Sequence, residues 1–235
     1  MNEIGGLYVK YAVISGEYAY ADEIQKYGYI PLKTAENPHL QRPVAYHADM
    51  NCAVINGTVY VAAEQAVLFR NIADLGYNAQ TFFDLSPDYP HDVLLNFALC
   101  GKSAICNPKT IETQILGTLK GGGYTIYPVN QGYAGCSALF VNENAVITTD
   151  DGIYKQLRDK LDILKISPHG IALEGYDYGF IGGAAKLIDG DTMLFFGDVS
   201  QHPDYIKIER FLGKYGVTIK HTAGCLCDIG GMIIL

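Results

Sequence analysis

The chain has no tryptophan, few cationic residues and no long unbroken apolar run. The shortage of cations excludes the most. Seventeen Lys+Arg stand against 25 Asp+Glu, a formal charge of −8, which argues against nucleic acid or an anionic membrane surface as the main partner. The same acidic balance suits a small cationic ligand. The longest uncharged stretch, 121–142, is broken by glycines, Pro128, Asn130 and Gln131, so it does not read as a membrane span. The first residues carry Glu3 and no long apolar run, which fits neither a signal peptide nor a transit peptide. Six cysteines, Cys52, Cys100, Cys106, Cys136, Cys225 and Cys227, without a secretory signal are expected as reduced thiols, not as a disulfide framework. The expectation is a cytoplasmic protein.

What the chain does have is glycine and tyrosine, 26 and 18 among 235 residues, a composition of many turns and short strands. The length suffices for a full core in one large or two small domains. Two apolar runs, 53–55 and 58–61, flank Asn56-Gly57, a pair that reaches positive φ easily and marks a tight hairpin. The pattern recurs: turns are expected at Ser15-Gly16, Cys100-Gly101, Asn142 to Asn144 and Asp189 to Asp191. Taking Gly16, Gly57, Gly101, Asn144 and Gly190 as markers, the intervals are 41, 44, 43 and 46 residues.

A second series runs in step with the first. After each turn comes an amphipathic segment and then a short strand, often opened by a Gly-aromatic pair such as Gly28-Tyr29, Gly76-Tyr77 or Gly123-Tyr124. Glycine just past a helix is the expected left-handed cap, and Asn107-Pro108 reads as an N-cap followed by proline. The helical segments are expected at 22–26, 63–75, 108–120, 152–160 and 203–215. The chain therefore reads as five copies of strand, turn, strand, helix, strand, approximately 1–40, 41–88, 89–131, 132–175 and 176–222, with a closing strand within 223–235. Neither end is polar enough to cap an open repeat array. A ring in which Met232 to Leu235 pairs beside Leu7 to Ile14 removes both sheet edges. The predicted architecture is a single α/β domain, a five-bladed propeller closed by the C-terminal strand.

Such a ring resembles the pentein fold, that of the guanidino-group-modifying enzymes: arginine and agmatine deiminases, dimethylargininases and amidinotransferases. The resemblance spans the chain as architecture and is strongest in Gly132 to Cys136, Gly179 to Ala184 and Ala223 to Cys227. It implies a cysteine near the C-terminus that attacks a guanidinium or amidine carbon, an acid-base histidine, and carboxylates that hold the planar cation. The covalent amidino-enzyme would then pass to water or to a second amine. No metal or organic cofactor is implied, and an uncharacterised subgroup without an assigned reaction is a fitting home.

Candidate residues follow from the repeat. The segments leading into each inner strand, eight to ten residues before the turn markers, hold His47 and Asp49, then His91 and Asp92, then Ala134 and Cys136, then Phe180 and Gly182, and the closing strand supplies Cys225, Cys227 and Asp228. Cys225 or Cys227 is the expected nucleophile; strand alternation puts both on one face. The resemblance places the acid-base histidine in the entry to the fourth unit, Asn130 to Cys136, where none stands, so His91 or His169 would replace it. Asp92 and Asp49 match the expected carboxylates. His47, Asp49, Cys136, His169 and Tyr178 are the expected substrate contacts, the last from a run of aromatics and acids, 174–180, able to cage a cation. Packing alone would also explain the cysteines, since most intracellular cysteines are small buried residues. Two thiols with His91 could bind a metal, but a lone C-x-C lacks the four-ligand spacing of a structural zinc site. The alternative to an enzyme is a ring that binds a partner without catalysis.

Overall fold

A computed structural model of the protein describes residues 3–4, 7–8, 10–82 and 85–235. Five three-stranded sheets carry the architecture. In four of them the central strand pairs antiparallel with the strand before it and parallel with the one after. The second sheet shows the rule: β5 (Cys52–Ile55), β6 (Thr58–Ala62) and β7 (Asn78–Phe82). The third holds β8 (Ala98–Cys100), β9 (Ser103–Cys106) and β10 (Thr125–Pro128). The fourth holds β11 (Ala138–Asn142), β12 (Ala145–Thr148) and β13 (Asp162–Lys165). The fifth holds β14 (Ala185–Ile188), β15 (Thr192–Phe195) and β16 (Thr218–His221).

The first sheet is assembled from both ends of the repeat series. Its centre is β3 (Lys10–Ile14), parallel to β4 (Tyr29–Lys33), and its remaining strand is β17 (Met232–Ile234), which pairs Met232 with Ile14 and Ile234 with Ala12. The expected partnership of the last strand with Ile14 and its neighbours is therefore present. Two details differ from expectation. Ser15-Gly16 follows a central strand and is not a hairpin turn, because the antiparallel partner of β3 comes from the far end of the sequence. The last strand is also shorter than 223–235: Gly230 and Gly231 have φ of 73° and 65°, which breaks the extended run ahead of Met232. A short ribbon, β1 (Glu3–Ile4) with β2 (Leu7–Tyr8), precedes β3; Val9, within the expected Leu7 to Ile14 hairpin, lies outside the described residues.

Local chemistry explains the elements. Asn56 and Gly57 take φ of 50° and 76°, as a two-residue hairpin turn of this hand requires. A helix links the central and third strands in four units: α2 (Ala66–Asp74), α3 (Thr113–Gly121), α5 (Asp151–Leu157) and α6 (Tyr205–Lys214), with α1 (Ala48–Asn51) and α4 (Ala134–Ser137) as short turns ahead of β5 and β11. The first unit has instead a 3-10 segment, Ala21–Tyr27, ended by Gly28 at φ 85°. Helix faces bury pairs such as Leu68 with Ile72 and Ile208 with Leu212. Each such side chain contributes roughly 1.5–3 kcal/mol of burial.

Asp150 starts α5 by accepting from Ile153 N at 2.7 Å, and its other oxygen accepts from Gln131 Nε2 at 2.9 Å. Asp150→Ala is expected to lower the unfolding free energy by about 1 kcal/mol, as loss of an N-cap does; urea denaturation measures it. Among the described residues no helix is long and apolar enough to cross a membrane.

Candidate functional site

The segments ahead of the first strand of each sheet meet one another, and glycines let them do so. Asp49 N donates to Gly230 O at 3.1 Å, Gly231 N to Gly183 O at 2.9 Å, and Gly182 N to Cys136 O at 2.6 Å. The backbone N–H groups of Gly135 and Cys136 donate to Asn96 Oδ1 at 2.8 and 3.1 Å. Asn96 Nδ2 reaches back to Met50 Sδ at 3.4 Å, so the circuit returns to the segment carrying Asp49. A Cβ on Gly182 would stand 2.2 Å from Gly135 O, and one on Gly183 only 1.9 Å from Asp228 Oδ1. Only glycine fits at these two points.

This belt carries the chemistry. Asn51, fully buried, donates to His47 O at 2.9 Å and Ala45 O at 3.1 Å, which fixes the turn holding His47 and Asp49. The Cys136 thiol donates to Asp49 Oδ2 at 2.8 Å and receives Asn96 Nδ2 at 3.0 Å. Asp228 accepts from Phe180 N at 2.9 Å and Gly230 N at 3.0 Å, and stands 3.8 Å from His47 Nδ1. Asp92 accepts from the Tyr133 hydroxyl.

Burial sets the proton affinities. It pushes Asp49 up to about 6, with the neighbouring His47 opposing and Asp228 reinforcing the rise. Burial, followed by the charges of Asp49 and Asp228, holds the Cys136 thiol well above its ordinary value. Burial and the bond to Asp92 likewise raise Tyr133. His47 Nδ1, Asp49 Oδ1 and Asp92 Oδ1 are buried without a hydrogen-bond partner among the described residues. Unsatisfied buried polar atoms are uncommon, and their grouping marks a place where a ligand or water completes the bonding.

Above Cys136 opens a cavity of about 290 Å³ bordered by His47, Tyr133, Tyr178, Phe180 and Asp228. The Tyr133 and Phe180 rings lie nearly parallel, 10° apart with centroids 6.3 Å apart. Apolar faces with two acids at the margin, Asp177 and Asp228, suit a flat cation.

Of the residues picked out from the sequence, His47, Cys136 and Tyr178 border this cavity, Asp49 holds the thiol from beneath, and Asp92 reaches it through Tyr133. His169 sits beside it, edge-on to Tyr178 with ring centroids at 5.8 Å. The others lie elsewhere. His91 is exposed at a turn, its N–H bonded to Asp88 O. Cys225 is exposed and bridges to Asp198. Cys227 is half-buried, bonds Phe196 O at 3.5 Å, and is pushed up to about 12 by burial, then by Cys225 and Asp228. It borders a neighbouring cavity of about 390 Å³ that also touches His47 and Asp228. Among the described residues no cluster of His, Cys, Asp and Glu could hold a metal ion.

Asn96 and Tyr133 are the participants that spacing did not single out. In the third unit a run of turns replaces the short helix found ahead of β5 and β11, so counting back from Gly101 lands on His91 and Asp92 and passes over Asn96. The visible signal was an apolar stretch, 93–99, interrupted by one amide.

Several solved structures share this architecture. The amidinotransferase SxtG from Microseira wollei is 10% identical, with a TM-score of 0.55 over 92% of this chain and 88% of that one. DDAH from Pseudomonas aeruginosa, complexed with citrulline, is 8% identical, with a TM-score of 0.56 over 97% and 99%. Agmatine deiminase from C. jejuni is 11% identical, with a TM-score of 0.52 over 90% and 75%. The fold is that of the pentein superfamily. The chain belongs to the Family of unknown function (DUF6873), whose model matches residues 13–233. No curated protein matches the chain.

Proposed function

We propose that the protein binds a small planar cation of the guanidine or amidine type in the cavity above Cys136, and that Cys136 is the thiol that attacks its central carbon. The observation that carries this reading is the 2.8 Å bond from the Cys136 thiol to Asp49 at the floor of an aromatic, acid-edged cavity. The thiol proton passes to Asp49, sulfur bonds to the amidinium carbon, and the departing amine takes that proton as its bond to carbon breaks. Water or a second amine then releases the amidino group. The kinship in fold with amidinotransferases and an agmatine deiminase supports the same substrate class. The circuit from Asp49 through Gly230, Gly183, Cys136 and Asn96 to Met50 supports a closed five-bladed ring as the frame, with the chain as one domain.

A bound cation lowers the pKa of an adjacent thiol, so the raised value of free Cys136 is relieved only when the ligand arrives. Chloroacetamidine, a cationic alkylator, is expected to label Cys136 saturably and at least about tenfold faster than neutral iodoacetamide labels it at pH 7, because a neighbouring opposite charge shifts a pKa by one unit or more. Peptide mapping locates the label. Labelling confined to Cys225 or Cys227, or without saturation, would remove Cys136 from the role. The raised thiol pKa favours one further reading, a cation-binding protein without turnover. Its signature is protection of the cavity by amidines with no alkylation of Cys136.

A further inference from the structure

The first strands of the sheets enclose a second space that the cation-binding reading does not use. Its walls are apolar, with Phe97, Leu99, Leu187 and Ile233 prominent, and it forms cavities of about 220 and 190 Å³. Into both comes Lys186 from the middle of β14. Its side chain is half-buried, and among the described residues it makes no hydrogen bond and has no acid within ion-pair distance. Asp49 borders the same two cavities, and its Oδ1 is the oxygen left without a partner. Cys100 lines the larger one.

An ammonium group in such surroundings is short of both water and counter-charge. Burial accordingly lowers the pKa of Lys186, which raises the fraction present as free amine. A free amine in an apolar space adds to carbonyl carbon, and the adduct needs an acid to expel its oxygen as water. Asp49, shifted towards neutrality by burial, supplies such an acid in the same space.

We propose that this channel is a second ligand site in which Lys186 takes up small aliphatic aldehydes as an imine. The Nζ lone pair forms the carbon–nitrogen bond and the carbonyl oxygen gains a proton from Asp49. The amine protons are then given up, one returning to Asp49, as that oxygen leaves in water. No redox step or co-reactant is involved, and hydrolysis reverses the reaction. The site does not depend on any reaction at Cys136.

The test uses the intact protein with butanal and sodium cyanoborohydride, which reduces an imine to a stable N-butyl group, followed by peptide mapping. Lys186 is expected to be modified at least about threefold faster than exposed Lys26, Lys109 and Lys160, since burial lowers its pKa and leaves more of it as free amine. Its rate should saturate with butanal, and Asp49→Asn should slow modification at Lys186 while leaving the exposed lysines unchanged. Modification of Lys186 at or below the rate of the exposed lysines, or a rate linear in butanal throughout, overturns the proposal.

Discussion

Asn96→Ala is expected to lower the unfolding free energy by roughly 1–4 kcal/mol, because it strands the buried N–H of Cys136, at about 1–3 kcal/mol, and the half-buried N–H of Gly135, which costs less. Both groups stand at the start of α4 and point at Asn96 Oδ1. Tyr133, which precedes the helix, gives it no side-chain cap, so the cap comes from another unit of the repeat. Asn96 itself is 1% exposed, and water cannot easily take its place. Urea denaturation followed by circular dichroism measures the loss. Asn96→Asp retains the accepting oxygen and should recover part of it, which a simple volume effect would not predict. An Asn96→Ala variant as stable as the parent would mean that α4 finds its cap elsewhere.

Asp49→Asn should act in the opposite direction, and only above a certain pH. The folded protein holds the Asp49 proton up to about pH 6, against an ordinary value of 3.8. Because the folded value is the higher one, folding is favoured most below the ordinary value and loses that advantage as pH rises through the folded value. A shift of about two units corresponds to about 3 kcal/mol. The parent therefore becomes less stable between about pH 4 and pH 6, and a neutral amide at position 49 does not. The variant is expected to be favoured at pH 7.5 over its standing at pH 4 by about 3 kcal/mol, read from urea denaturation at both values. Equal effects at the two pH values would show that Asp49 carries no burial penalty. The same variant deprives the Cys136 thiol of its proton acceptor and should slow labelling by chloroacetamidine, so stability and reactivity move apart.

Much of the fold was legible because its signals are local. Asn56-Gly57, Asn142 to Asn144 and Asp189 to Asp191 each need a backbone that few residues allow, and each turned out to join the strands expected. The five helical stretches appear where the amphipathic pattern put them, with ends displaced by a few residues: the first is a 3-10 segment, and α3 begins at Thr113 behind a Glu112 cap and not at Asn107-Pro108. The site was legible in part for the same reason. His47, Asp49 and Cys136 lie on short helical turns at a constant distance from a hairpin, and constancy of spacing is what a repeat exposes. His91 obeys the spacing but not the structure, since the turns around Pro90 leave it facing solvent. Asn96 and Asp228 work through contacts between units. Their partners are 40 or more residues away, and no local pattern encodes such a meeting. The close approach of Gly182 and Gly183 to neighbouring units was visible only as small residues ahead of a strand.

The pairing of β17 with β3 bears on the order of events during folding. Ala12, Val13 and Ile14 find their antiparallel partners in Ile234, Ile233 and Met232, so the first sheet cannot be finished from its own neighbourhood in sequence. Bringing such distant segments together costs loop entropy before any contact repays it, and topologies of this kind fold slowly. The strand also follows directly on Gly230 and Gly231, which bind the belt to Asp49 and Gly183. On a ribosome, four of the five sheets can form as they emerge, while the first sheet waits for Met232 to Ile234 and the cavity above Cys136 for Asp228. Reactivity of that thiol should therefore be acquired abruptly and late, after most of the secondary structure is in place.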